Sequence, residues 1–127
     1  MNLLAAGTAV CDLQLLTEGQ TQGFTLGEGE WPLRGLVVMH QGEVRAFVNQ
    51  CPHAGHRLDF PPGRFLTPDG ELLLCRSHGA VFDKASGECV AGPCTGERLR
   101  SLQVAVVGTQ VQLDADVDVD ALVTRYW

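Results

Sequence analysis

Apolar and polar positions along this chain change on a short period. Residues 8–13 and 23–26 alternate loosely and are separated by polar turn residues, the mark of strands with one buried face. Residues 36–40 and 44–48 are denser runs of β-formers. The segment Gln41-Gly42-Glu43 joins them and predicts a hairpin. Residues 72–74 and 80–82 predict two short strands on either side of a loop, and Asp83-Lys84-Ala85-Ser86-Gly87 reads as a turn. Residues 102–107 and 110–113 predict another hairpin, closed by Gly108-Thr109, while Gly27-Glu28-Gly29-Glu30 reads as a loop. Helical periodicity is thin: residues 120–126 fit a short terminal turn or a strand. Asp114, Asp116, Asp118 and Asp120 alternate with Ala and Val. They lack the glycine and glutamate spacing of a calcium-binding loop, so an edge strand whose charges discourage pairing is expected. There is no internal repeat or linker. The pattern predicts an all-β fold of stacked antiparallel sheets.

Composition narrows this reading. The 127 residues suit one domain, 1–127, and 45 % of them are apolar, enough for a core. A formal net charge of −6 argues against nucleic acid, which is bound by neutralising phosphates. It suits a protein partner with a positive patch. Residues 1–7 lack a basic start and a long apolar run, so no signal peptide is expected. No stretch nears the roughly eighteen apolar residues of a membrane helix. The expected location is cytoplasmic, with no membrane partner.

The chemistry sits between the predicted strands. Cys51-Pro52-His53 is a C-x-H clip and Cys75-Arg76-Ser77-His78 a C-x-x-H clip. Together they offer two thiolates and two imidazoles. Such a donor set suits zinc or an iron–sulfur cluster and does not suit calcium or magnesium, which want oxygen. The first clip follows the strand at 44–48, and the second lies at a hairpin tip between 72–74 and 80–82. Two histidines each at fixed spacing from a cysteine are not lone core histidines. His40 and His56 have no such spacing and read as ordinary.

The surroundings of the clips are more specific than the clips. The first reads Cys51-Pro52-His53-Ala54-Gly55-His56-Arg57-Leu58. The second reads Cys75-Arg76-Ser77-His78-Gly79-Ala80-Val81-Phe82-Asp83, then Ser86-Gly87, then Gly92-Pro93. This order resembles the Rieske [2Fe–2S] family over roughly residues 36–107. The resemblance implies cluster-binding loops at about 49–60 and 74–83 and a Gly-Pro loop at about 90–95. It implies that Cys51 and Cys75 hold one iron and His53 and His78 the other of a single [2Fe–2S] cluster. The stretch between His53 and Cys75 is longer than is common in the family. The extra disulfide cysteines of the high-potential respiratory members are replaced by His56 and by Ser77 or Arg76. The match is therefore to the soluble ferredoxin-like branch or to oxygenase-associated domains.

That resemblance implies a one-electron carrier between a flavin-dependent reductase and a terminal oxygenase or similar enzyme, and not a catalytic enzyme. The runner-up is a small Rieske subunit of a larger oxidoreductase, similar to the small component of a nitrite reductase. A structural Cys₂His₂ zinc module is the weakest alternative. Two neutral imidazoles make the cluster less negative than four thiolates would, which raises its potential. Ala80 and Phe82 stand where high-potential members carry Ser and Tyr donors, so a low value within the Rieske range is expected. Leu58, Phe60, Pro62 and Pro93 are candidates for an apolar docking rim, with Arg76 between the ligands. Arg57 reads as a surface charge. Cys11 reads as a small core residue. Cys89 and Cys94 flank the Gly-Pro loop and read as free loop thiols, with a disulfide between them as the less favoured alternative in a reducing compartment. Trp31 and Trp127 are expected to pack.

Overall fold

The structure is a computed structural model and describes residues 3–27, 32–52, 56–59, 63–77 and 79–122. Strands β1 (Leu3–Leu4) and β2 (Ala9–Asp12) lead into a 3₁₀ turn at Leu13–Leu15. The turn is capped by Asp12, whose carboxylate accepts from the Gln14 N–H. Next come β3 (Thr21–Leu26), β4 (Leu33–His40) and β5 (Glu43–Val48), then the short strands β6 (Leu73–Leu74), β7 (Val81–Phe82) and β8 (Cys89–Ala91). The chain ends its described part with β9 (Ser101–Leu102), β10 (Val104–Val107), β11 (Gln110–Leu113), β12 (Val117–Asp118) and the single-turn helix α1 (Val119–Leu122). Among the described residues no helix is long and apolar enough to cross a membrane.

All strand pairs are antiparallel. A central sheet has the order β3-β4-β5-β9, a second sheet β10-β11-β2 and a third β6-β7-β8, with β1-β12 as a separate pair. The β4–β5 connection is the two-residue turn Gln41-Gly42, with φ of 53° and 77°. Two successive positive φ values match the right-handed twist of the flanking strands. The Glu18 carboxylate accepts from both turn N–H groups at 2.8 Å.

The central sheet explains why residues 36–39 do not alternate. Leu36 and Val38 of β4 and Phe47 of β5 face one core, while Leu33, Val37, Ala46 and Val48 face the other. A strand covered on both faces reads as a continuous apolar run. The first core also holds Cys51, Leu58, Phe65, Leu73, Cys75, Ala80, Phe82, Cys89, Cys94 and Leu99. The second is closed by the β10-β11-β2 sheet through Val10, Val111 and Leu113, joined by Val117 and Val119.

Two expectations need correction. Residues 102–107 are not one strand. Leu102 pairs with Ala46 of β5, whereas Val104 pairs with Leu113 of β11, so the chain leaves one sheet for another at Gln103. The aspartate run is not an extended edge strand either. Only Val117–Asp118 pairs, with β1, and Val117 and Val119 turn inward. The Asp116 carboxylate accepts from the Ala6 N–H at 2.9 Å. Most of the loop expected at 27–30, and both tryptophans, lie outside the described residues.

The turn after β7 is fastened from both sides. The Asp83 carboxylate accepts from the N–H groups of Ala85 and Ser86 at 2.8 and 3.0 Å. Lys84, only 5 % exposed, donates from Nζ to the carbonyls of Gly19 and Gly70. Gly87 closes the turn at φ 76°, and a Cβ there would stand 2.8 Å from the Phe47 ring.

Candidate cluster site

Three loops meet on the side of the central sheet covered by β6-β7-β8. The first leaves β5 at Val48. It is closed by the Cys51 N–H, which donates to the His56 carbonyl at 2.8 Å. Asn49 and Asp59, both buried, brace its base. Asn49 accepts from the Leu58 N–H at 2.7 Å and donates to Asp59 at 2.6 Å. Asp59 also takes a two-pronged contact from Arg57, both distances 3.2 Å, and the Gly63 N–H at 2.9 Å. Burial alone would push the Asp59 carboxyl up, but the bonds from Arg57, Asn49 and Gly63 outweigh it and hold it below the usual carboxylate range.

The second loop joins β6 to β7. The Cys75 N–H donates to the Ala80 carbonyl at 2.8 Å, and the Gly79 N–H returns to the Cys75 carbonyl at 2.9 Å. Gly79 has φ 76°, a left-handed conformation that a side chain resists. Two contacts stitch this loop to the first. The Arg76 N–H donates to the Leu58 carbonyl at 3.1 Å. The His56 ring nitrogen Nδ1 lies 3.2 Å from the Ser77 hydroxyl.

The third loop follows β8. Gly92 has φ 99°, and a Cβ there would fall 2.8 Å from the Ala80 Cα and 3.2 Å from the Gly79 carbonyl. Its backbone therefore rests directly on the second loop. Pro93 is exposed beside it.

The structure thus brings Cys51 and Cys75 into one core, at 2 % and 0 % exposure. His53 and His78 lie outside the described residues, as do Phe60 and Pro62. Two buried thiols on hydrogen-bonded loop tips, walled by Leu58, Ala80 and Phe82, fit the sulfur half of an iron–sulfur donor set. Leu58 is not part of a docking rim, since it is 0 % exposed and fills this wall. Arg57 is a surface charge, its side chain 40 % exposed, and it also pairs with the buried Asp59. Cys89 and Cys94 are core residues whose sulfurs lie 3.0 Å apart. Cys11 is half-buried, and burial pushes its thiol up, with Asp12 adding. Asn49 and Asp59 are the site residues that sequence reading missed. A polar pair ten residues apart around a cysteine clip was the available signal.

A family model described as the Rieske [2Fe–2S] domain matches residues 7–115. The ferredoxin component of the alkene monooxygenase system of Xanthobacter autotrophicus is 30 % identical over 109 residues, covering 84 % of this chain and 80 % of that protein. The solved ferredoxin of carbazole 1,9a-dioxygenase from Nocardioides aromaticivorans superposes with a TM-score of 0.66 at 26 % identity, covering 87 % of this chain and 99 % of that one. The terminal oxygenase of carbazole 1,9a-dioxygenase from the same organism shares the fold, with a TM-score of 0.70 at 21 % identity. There 90 % of this chain covers only 31 % of that one. With a family match along most of the chain and two buried cysteines on loops of the expected kind, the chain belongs to the Rieske [2Fe–2S] domain family, and its cofactor is a [2Fe–2S] cluster.

Proposed function

We propose that this protein is a one-electron carrier that receives electrons from a flavin-dependent reductase and delivers them to a terminal oxygenase. The observation that carries this reading is the extent of the match. The chain covers 80 % and 99 % of two ferredoxins, but 31 % of an oxygenase that shares its fold. In this reading Cys51 and Cys75 hold one iron and His53 and His78 the other. The bound cluster supplies reversible uptake of one electron. The chain holds it through two braced loops, excludes water with Leu58, Ala80 and Phe82, and leaves Arg76 and Pro93 exposed for a partner. One domain over residues 1–127 and a cytoplasmic location belong to the same proposal. A carrier must release each partner, so its contacts are small and sensitive to salt.

The test is a reconstituted chain. The purified protein should contain two irons and two labile sulfides and show the low-average-g resonance of mixed Cys/His ligation when reduced. Alanine at Cys51, His53, Cys75 or His78 should abolish or degrade the cluster. NADH, a flavin reductase and an oxygenase should then couple through the carrier, more slowly as salt rises. A colourless protein with one zinc would end the reading. Co-purification with a large enzyme as a salt-resistant complex would make it a fixed subunit.

A further inference from the structure

Beside the first cluster loop the surface opens into a cavity of about 430 Å³, walled by β3, β4 and that loop. Its floor is apolar. The Phe24 ring lies over Gly35 of the neighbouring strand, and a Cβ on Gly23 would stand 3.3 Å from the Phe65 ring. Its rim is basic. Arg34 of β4, exposed, and Arg57 of the loop both line the cavity. Asp59 is the one carboxylate among the described residues that line it.

Donors and acceptors do not balance there. An ionised carboxylate has about four acceptor sites. Asp59 receives N–H groups from Asn49, from Gly63 and twice from Arg57. Its side chain is 4 % exposed, so it has no site left for a further donor. Arg57 gives Nε and Nη2 to Asp59, and its Nη1 has no partner among the described residues. The Arg34 carbonyl accepts from the Asn49 N–H at 2.8 Å. The Arg34 guanidinium has no hydrogen-bond or ion-pair partner among the described residues. Two guanidiniums thus share one carboxylate that is already satisfied, in a chain whose formal net charge is −6.

We propose that this cavity is a socket for an acidic side chain of the redox partner, whose carboxylate is held by the guanidiniums of Arg34 and Arg57. The socket presupposes the carrier reading above. A partner that exchanges an electron must come to the first loop. Arg57 belongs to that loop, and the Arg34 carbonyl holds its start at Asn49. The net negative charge steers a partner in from a distance. It does not set the partner's orientation, whereas one charge pair of reversed sign at a fixed place sets the register. The planar fork of arginine matches a carboxylate, and such charge-assisted bonds are among the stronger ones. The rings of Phe24 and Phe65 offer the methylene groups of an Asp or Glu side chain an apolar surface and keep water from one side of the pair.

The experiment uses the cluster-loaded protein with its flavin reductase and its oxygenase. Arg34→Gln should leave the visible spectrum and the urea midpoint unchanged. It should raise the carrier concentration for half-maximal turnover about threefold to tenfold, with the maximal rate kept. Arg45→Gln removes the same charge from an exposed side chain on β5, at the end away from the first loop, and should have a much smaller effect. Equal effects of the two substitutions would reduce Arg34 to its share of the net charge and overturn the proposal. Contact itself is read by zero-length carbodiimide coupling, which joins an amine to a carboxylate that it touches. Lys84, the chain's one lysine, is 5 % exposed, so the wild-type background is low. Arg34→Lys should couple to an Asp or Glu of the reductase or the oxygenase, located by mass spectrometry, and Arg45→Lys should not. An Arg34→Lys protein that supports turnover but couples to neither enzyme overturns the socket and leaves the carrier reading standing. A loaded wild type that passes no electron between the two enzymes overturns the carrier reading and the socket with it.

Discussion

Replacing Gly92 by Ala tests whether the third loop is held by contact with the second. Two costs arise. The first is conformational: φ is 99°, a value that side chains resist, worth about 1–2 kcal/mol. The second is steric. The new Cβ would stand 2.8 Å from the Ala80 Cα, 3.2 Å from the Ala80 N and 3.2 Å from the Gly79 O. These are backbone atoms of a loop closed by its own hydrogen bonds, so they cannot swing aside, and overpacking of this kind costs about 1–3 kcal/mol. The sum is about 2–5 kcal/mol, a large share of the roughly 5–15 kcal/mol that stabilises a domain. Gly96 provides the control, with φ of 95° and nothing within 4 Å of its would-be Cβ. Gly96→Ala carries the conformational cost alone. The assay is the rate of bleaching of loaded protein in a fixed concentration of urea, followed beside far-ultraviolet circular dichroism. Gly92→Ala should bleach at least several-fold faster than Gly96→Ala. Equal rates for the two variants would show that the third loop does not bear on the second, and the steric argument would be refuted.

Other outcomes follow from side chains already placed. Lys84→Met should cost about 1–3 kcal/mol, since it leaves the Gly19 and Gly70 carbonyls without their ammonium donor; an unchanged urea midpoint would contradict this. Asp59 is held below its unfolded value, so its contribution is present at neutral pH, begins to fade near pH 4 and is lost as pH falls through the folded value. Asp59→Asn should therefore be less stable at pH 7 and should lose less stability than the wild type between pH 5 and pH 3; parallel acid limbs would refute it. The midpoint potential should be on the order of −150 mV, and Ala80→Ser, adding a hydroxyl at a fully buried position of the second loop, should raise it. A wild-type voltammetric midpoint above zero at pH 7, or a fall on substitution, would count against this.

The parts of the fold that could be read early are those set by neighbours in sequence. The Gln41-Gly42 turn, the Gly108-Thr109 turn and the Asp83–Gly87 turn are each specified by their own residues. Cys51 and Cys75, which the structure buries in one core, stand out for the same reason, since the spacing of each to the next histidine is local. What could not be read depends on partners far along the chain. Leu58 reads as an apolar rim candidate from its place beside the first clip, yet its carbonyl meets the Arg76 N–H and its side chain is sealed in the core. The break at Gln103 has no local signal, because it arises from Leu102 pairing with β5 while Val104 pairs with β11. Strand β8 is three residues long, too short to show a period. His56 gave no sign that its ring would reach Ser77, 21 residues on.

The double-sided burial of β4 and β5 divides the core into two tiers, one on each face of the central sheet. Leu36, Val38 and Phe47 serve the cluster side, and Leu33, Val37, Ala46 and Val48 the other. Removing iron and sulfide strips contacts from the first tier alone. Amide hydrogen exchange of the emptied chain should then separate into two classes. The amides paired between β3, β4 and β5, and between β10 and β11, would stay protected. Those of Cys51 and Gly79, which close the first and second loops, and of Arg76, which ties the second loop to the first, would exchange quickly. That outcome would make the emptied chain a half-open receptacle with its floor already laid, into which a cluster could be delivered without the whole protein having to unfold and start again.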